Sequence, residues 1–337
     1  MTGPPAAAED AALTRAFALA RESGVVRGPN PAVGAVVLAG DGTVLGEGWH
    51  RGAGTPHAEV EALAAAGDRA RGATAVVSLE PCAHHGRTPP CVEALIDAGV
   101  ARVVFGQADP NPEAAGGAAA LRAAGVEVCG PWRADEARSV NEAWSTAVEL
   151  GRPLVTWKVA ATLDGRIAAA DGTSQWITSA QSREAAHALR AASDAVLTGT
   201  GTALVDRPRL TARPGGAVAP VQPLRAVMGL TELPPDHPLA DAVRLPTRDP
   251  VEALHLLWQR DVRRVMLECG PRLAGAFLDA DLVDRVVWFA APLLLGSFGL
   301  AVADGGPTTL TQASRWRLLD VGRSGADVRI DLVREDL

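Results

Sequence analysis

Apolar positions recur at helical spacing from residue 9 to 23, and the chain then shifts to two short apolar runs, "VGAVVLAG" and "VLGEGW", around an Asp41-Gly42 turn. These runs read as strands. A helix is expected over 57–67, then the strand "TAVVSLE", a helix opening near Cys91, the strand "RVVFG", an Ala-rich helix around 113–124 and the strand "GVEVC". Helices and strands in that alternation predict a layered α/β domain.

The helix "ADEARSVNEAWSTAVEL" runs into Gly151-Arg152-Pro153, a stop signal followed by a fresh apolar strand, "PLVTWKVAATLDGRI". A domain boundary is expected there, dividing the chain into 1–149 and 150–337. Beyond it come a helix near 179–192, a strand "DAVLTGTGTAL", a Pro-rich loop at 206–223 and the strand "LRAVMG". A helix near 250–260, the strand "VRRVMLECG", another helix and β-rich segments complete the chain. The halves show no internal repeat, so different chemistry is expected of each.

Composition narrows the partners. The 337 residues are about twice a usual domain length. They carry a formal net charge of -7 and no Lys/Arg-rich segment interleaved with aromatics, which argues against nucleic acid. The first residues read as an amphipathic helix and not as a signal peptide, and no apolar run is long enough to span a membrane. Four cysteines in a chain of this length do not make a disulfide scaffold, so a reducing, cytoplasmic location is expected.

Two of those cysteines stand out. His57 opens one helix, Cys82 follows a strand in "LEPC", and Cys91 opens another helix after Pro89-Pro90. One imidazole and two thiolates are three ligands for zinc, leaving the fourth tetrahedral position to water, as catalytic sites do. Glu59 lies two residues beyond His57, within reach of such a water, and is the candidate for proton transfer. That division of labour matches zinc nucleobase deaminases, although eight residues separate the cysteines here instead of two. Two alternatives remain: the cysteines are small core residues, or the zinc is structural with His84 or His85 as a fourth ligand.

Together, "PNPAVGAVV", "HAEVEAL", "LEPCAHHGRTPPC" and "ADPNP", with "KVAATLDGRIA", "SQWITS", "DAVLTGTGT" and "ECGPRLAGAFL" in the second half, resemble the bifunctional riboflavin-biosynthesis deaminase/reductases. The resemblance covers nearly the whole chain. It implies a cytidine-deaminase-like three-layer α/β/α domain followed by a dihydrofolate-reductase-like α/β domain, with zinc and NADPH as cofactors. In the first domain it implies zinc on His57, Cys82 and Cys91, proton transfer by Glu59, and substrate contacts from Asn30, His50, His84 and Arg87. In the second it implies substrate contacts from Ser174, Arg190, Leu210, Arg213 and Glu268. Cofactor contacts are implied for Ala160, Trp176, Thr202 and Asp206, and for the turn Gly270, Pro271, Arg272, Leu273, Ala274, Gly275 and Ala276. A small-molecule ribosylaminopyrimidine phosphate and further copies of the chain are the implied partners.

Side-chain chemistry is compatible with these roles. Asn30 can pair with a pyrimidine edge, Arg87, Arg190 and Arg213 can neutralise a phosphate, and Glu268 can accept hydrogen bonds from a ribose or pyrimidine. The strand–turn–helix "MLECGPRLAGAF" can present backbone N–H groups to a pyrophosphate. Plainer readings exist for several: Asn30 as a turn former, Arg87 as a loop charge, Trp176 as a rim aromatic. Lys158, Asp164 and Gly165 read as framework near the site. Gly229-Leu230 replaces the acidic or hydroxyl residue usual in the family, which supports a rival reading in which the second domain has lost reduction or takes another substrate. A non-catalytic zinc-stabilised binding protein and a nucleic-acid deaminase are the other rivals.

Overall fold

The computed structural model describes residues 4–22, 28–86 and 89–337, and the chain divides into two compact units, Met1–Gly151 and Arg152–Leu337.

The first unit runs α1 (Ala7–Glu22), β1 (Gly34–Leu38), β2 (Val44–Trp49), α2 (Ala58–Ala66), β3 (Thr74–Leu79), α3 (Cys91–Asp97), β4 (Arg102–Gln107), α4 (Gly117–Ala123), β5 (Glu127–Cys129) and α5 (Ala134–Leu150). Its sheet has the order β2-β1-β3-β4-β5, antiparallel at the β2/β1 and β1/β3 pairs and parallel beyond. The near-continuous apolar runs of β1, β3 and β4 are explained by cover on both faces. Ala35, Val37, Val77, Val103 and Phe105 point into one core with α2, α3 and α4. Val36, Leu38, Val76 and Val104 point into the other, against α1 and the start of α5. Side chains alternate across a strand, so a single run builds both layers of the α/β/α sandwich.

Strand β2 seats α2 by leaving side chains out. A Cβ on Gly48 would lie 2.3 Å from Ala58 O and 2.5 Å from Ala62 N, and one on Gly46 would lie 2.3 Å from Ala62 O. The facing positions Ala58, Ala62 and Ala66 are also buried. Helix α2 therefore rests on the strand backbone, which sets the height of His57 and Glu59. Gly48→Ala is expected to lower stability by about 1–3 kcal/mol through overpacking. Urea denaturation checks this, with deamination falling and reduction unchanged.

The second unit contains β6 (Leu154–Thr162), β7 (Arg166–Ala168), α6 (Ala180–Ala191), β8 (Ala195–Gly199), α7 (Thr200–Asp206), β9 (Leu224–Met228), β10 (Val243–Leu245) and α8 (Pro250–Trp258). It continues with β11 (Arg264–Leu267), α9 (Pro271–Asp279), β12 (Arg285–Ala291), β13 (Leu300–Ala301), β14 (Trp316–Ser324) and β15 (Asp327–Arg334). The main sheet is ordered β10-β9-β8-β11-β6-β12-β15-β14, and β13 pairs with β7 separately. Parallel pairing joins β10 through β12, and antiparallel pairing adds β15 and β14 at one edge. Helix starts follow local chemistry: Asp249 caps α8 by accepting from Val251 N–H at 2.9 Å, with Pro250 at the first position.

Three expectations are corrected. The run "DAVLTGTGTAL" is a strand only as far as Gly199; from Thr200 it is α7, because Ala203 buries against the core under α6 and Thr202 Oγ1 accepts from Gly270 N–H at 2.9 Å. Tertiary contacts outweigh the strand preference of threonine. The run "PLVTWKVAATLDGRI" is two strands, broken at Gly165, whose φ of 71° suits a turn. The Ala-rich helix is shorter than 113–124, spanning Gly117–Ala123.

Candidate active sites

In the first unit, His57 is the extended residue before α2, Cys82 lies in the loop after β3, and Cys91 is the first residue of α3. Their ligand atoms all lie within 4.8 Å of one another. His57 Nδ1 is 3.1 Å from Cys91 Sγ and 3.6 Å from Cys82 Sγ. Tetrahedral zinc with ordinary Zn–N and Zn–S bonds holds such atoms about 3.6 Å apart, so the trio fits the ion. Among the described residues the cluster has three members, and neither His84 nor His85 joins it; His85 Nε2 instead faces Glu93 Oε1 at 3.2 Å.

The thiols are electrostatically unlike. Hydrogen bonds from Cys91 and His57 pull the Cys82 thiol down to about 4, while the bond to Cys82 and burial push Cys91 up. Cys91 N–H also points at Cys82 Sγ, at 3.4 Å. Glu59 is 5% exposed in the first turn of α2, and burial raises its carboxyl above the usual range. A carboxyl kept out of bulk water beside three metal ligands is placed to hold a proton.

Asn30 and His50 stand next to this cluster. Asn30 Nδ2 is 2.9 Å from His50 Nε2, and His50 Nδ1 is 3.1 Å from Pro56 O. A carbonyl only accepts, so Nδ1 carries the proton and Nε2 accepts from Asn30. The ring is thereby fixed neutral, and burial lowers its pKa. It sits edge-on to the His57 ring, with centroids 5.1 Å apart. His84 is half-buried, and its Nδ1 has no hydrogen-bond partner among the described residues. Arg87 lies outside the described residues.

The second unit holds a cavity of about 530 Å³ beside the carboxyl ends of β8 and β11. The chain passes from β8 to β9 on one side, while β11 lies on the other, which is where open α/β sheets bind ligands. Of the expected substrate residues, Ser174, Arg190, Leu210, Arg213 and Glu268 all line it. Of the expected cofactor residues, Ala160, Trp176, Thr202, Asp206 and Gly270 do. Pro271 to Ala276 instead form the first turns of α9. There Arg272 is 96% exposed, while Ala274 and Gly275 are buried. A Cβ on Gly275 would meet Asp304 O at 2.1 Å. These turns present backbone N–H groups at the helix start rather than side chains.

Charge in the cavity is organised around Glu268. Arg190 forks onto it, with Nε–Oε1 at 2.5 Å and Nη2–Oε2 at 2.9 Å, and Lys158 Nζ stands 3.6 Å from Oε2. Burial alone would raise the Glu268 carboxyl, but Arg190 and Lys158 outweigh it and hold it at about 2. Burial raises Asp206. Lys158, Arg183, Arg190, Arg209 and Arg213 face only two lining carboxylates, Asp206 and Glu268, so the cavity suits a polyanionic ligand.

Comparison with known proteins follows this division. The cytidine and deoxycytidylate deaminase zinc-binding region matches residues 7–107, and the RibD C-terminal domain matches residues 153–330. The riboflavin biosynthesis protein RibD of Mycobacterium tuberculosis is 47% identical over 311 residues, covering 90% of this chain and 91% of that protein. The chain belongs to the RibD family. It is a bifunctional deaminase and reductase of riboflavin biosynthesis. RibD of Acinetobacter baumannii superposes with a TM-score of 0.86 at 37% identity, covering 97% of this chain and 99% of that one. A diaminohydroxyphosphoribosylaminopyrimidine deaminase/5-amino-6-(5-phosphoribosylamino)uracil reductase from Thermotoga maritima does so at 0.82 and 33%, with the same coverage.

Several residues that shape the sites escape sequence reasoning. Lys158 reads in the sequence as framework near the site, yet it pairs with Glu268. Arg183 stacks over Trp176 with its Cζ 4.5 Å from the ring centroid and donates to Thr178 O at 2.6 Å, holding an aromatic that is 71% exposed at the cavity rim. Asp109, within the quoted "ADPNP", has its carboxyl raised to about 6 by burial. Its backbone N–H donates to Glu80 Oε2 at 3.2 Å, joining that motif to "LEPC". Those two motifs were the available signal; the Lys158 pairing had none.

Proposed function

We propose that residues 1–149 remove the 2-amino group of 2,5-diamino-6-(5-phosphoribosylamino)pyrimidin-4-one by hydrolysis. Residues 150–337 then reduce the ribosyl group of the resulting uracil to ribityl, with NADPH as donor. The observation that carries the reading is the cluster of His57, Cys82 and Cys91 with no fourth protein ligand among the described residues, which leaves a coordination position open. Bound zinc lowers the pKa of a coordinated water to near neutrality. As water oxygen bonds to C2, Glu59 would take one of its protons to the ring nitrogen beside C2; it would then pass the proton of the new C2 hydroxyl to the amine, so that the C2–N bond breaks, a carbonyl forms and ammonia leaves as a neutral molecule. Asn30 and His50 orient the pyrimidine edge, and His84 and Arg87 serve the phosphate side.

In the second unit the cavity residues would hold NADPH, whose hydride would go to C1′ of the opened ribosyl group while a proton from solvent completes the reduction at the attached nitrogen. The fork of Arg190 is taken up by Glu268, so Arg213 is the better placed of the two for a substrate phosphate: its buried Nε has no partner among the described residues. Trp176, Thr202 and Asp206 hold the cofactor with the N–H groups at the start of α9, and Ser174 and Leu210 complete the substrate side. Edge strand β14 leaves Leu318, Leu319 and Val321 uncovered, which supports assembly with further copies of the chain. No helix among the described residues is long and apolar enough to cross a membrane. A reducing cytoplasm would keep the Cys82 and Cys91 thiols available to the metal.

The test couples the two halves. Zinc-loaded protein given the diaminopyrimidine ribosyl phosphate and NADPH should oxidise NADPH. Cys82→Ser should abolish that oxidation, and the deaminated uracil should restore it. Failure of both compounds to support oxidation in the native enzyme would remove the reductase half of the reading, with ammonia release still reporting on the other.

A further inference from the structure

Helix α5 is interrupted at Asn141, whose backbone leaves the helical region at φ -121° and ψ 21°. The side chain there is buried and bonds both backbone groups of one residue: Oδ1 accepts from Ala32 N–H at 2.8 Å, and Nδ2 donates to Ala32 O at 2.7 Å. A primary amide offers a donor and an acceptor side by side, so it pairs with the N–H and C=O of one residue much as a neighbouring strand does. One turn further along α5, Trp144 Nε1 donates to Pro29 O at 2.7 Å.

The stretch held by these bonds belongs to no helix or strand. It reads Pro29-Asn30-Pro31-Ala32, and its two prolines have no N–H, so a ladder of backbone bonds cannot hold it. Helix α5 grips it on both sides of Asn30. From there the contacts run inward: Asn30 to His50 at 2.9 Å, and the His50 ring to the His57 ring at 5.1 Å. An apolar residue at 141 would leave the Ala32 N–H and C=O without these partners. The chain instead breaks α5 and buries an amide there, a departure of the kind found where function sets local structure.

We propose that Asn141 is a positioning residue of the deaminase site, with Trp144 as the second clamp, setting Asn30 and through it the orientation of His50. This rests on the reading that Asn30 and His50 face the pyrimidine. Asn141 touches neither the metal cluster nor the substrate; it acts through the 29–32 backbone.

The experiment uses the full-length, zinc-loaded enzyme and measures ammonia release for Asn141→Ala, Asn30→Ala and the double variant. Zinc content, thermal midpoint and NADPH oxidation on supplied uracil are followed alongside. Asn141→Ala is expected to raise KM roughly tenfold with a smaller change in kcat, since small misplacements of binding groups weaken productive binding. Zinc content and reductase rate stay at the native level, and the double variant matches Asn30→Ala alone, as residues acting in series do. An unchanged KM in zinc-replete Asn141→Ala, or losses that multiply in the double variant, overturns the proposal. An unchanged KM in Asn30→Ala identifies the underlying reading as the part that failed, and the proposal falls with it. If Asn141→Ala does not fold, Trp144→Phe replaces it, because it drops the indole N–H and keeps an aromatic ring in place. The same rise in KM is expected there, and its absence overturns the proposal.

Discussion

Glu59→Gln is expected to slow deamination by about 10²–10⁴-fold, the range that a positioned general acid–base contributes. Glutamine keeps the shape and the buried volume of the side chain, so the metal cluster should load zinc as before. What it removes is the ability to take up and release a proton beside His57 and Cys91. The measurement is single-turnover ammonia release, with zinc content determined on the same sample and NADPH oxidation on supplied uracil as an internal control. Because Glu59 lies in the first unit and the cavity around Glu268 in the second, the reductase rate should not change. Native-level ammonia release from a zinc-replete variant would take Glu59 out of the reaction.

Glu268→Ala is expected to abolish reduction and to destabilise the second unit by about 3–5 kcal/mol, the usual result of stripping one partner from a buried ion pair. Glu268, Arg190 and Lys158 are only 12%, 15% and 18% exposed at their side chains, so the two cations would be left facing each other, largely buried and without their shared carboxylate. A thermal midpoint lowered by roughly 6–20 °C follows for a unit of this size. Lys158→Met should be milder, since Arg190 keeps both of its bonds to the carboxylate.

The pH dependence has a definite sign. The Glu268 carboxyl titrates near 2 in the folded protein against an ordinary value of 4.5. Its contribution is therefore complete above pH 4.5 and lost as pH falls toward 2. The gap in thermal midpoint between native protein and Glu268→Ala should narrow over that window. A gap independent of pH would mean that packing, not charge, holds the triad.

Legibility along the chain depended on how local the deciding physics is. The runs in β1, β3 and β4 were readable as strands because an apolar stretch covered on both faces leaves its mark in consecutive residues. Thr200 to Leu204 reads as a continuation of the strand because Thr200, Gly201 and Thr202 carry no helical pattern; contact with the core under α6 and with Gly270 turns the segment into α7. Arg190 was recognisable as a cation for the site, but its commitment to Glu268, 78 residues away, was not.

By itself the sequence determined which atoms are available for chemistry: an imidazole, two thiols and a carboxyl in "HAE" and "PCAHHGRTPPC", on segments whose helix starts and strand ends are encoded within a few residues. Metal-binding side chains are few and chemically distinctive, so type and spacing narrow their use. Only the tertiary structure decided which of the other polar groups work together. Asn141 meets Ala32 across 109 residues, and Lys158 and Arg190 converge on Glu268 through parallel strands and the helix beside them. Arginine, lysine and asparagine are common at any surface, and what gives these three their roles is burial, which makes an unpaired charge or amide costly and so selects one arrangement of partners.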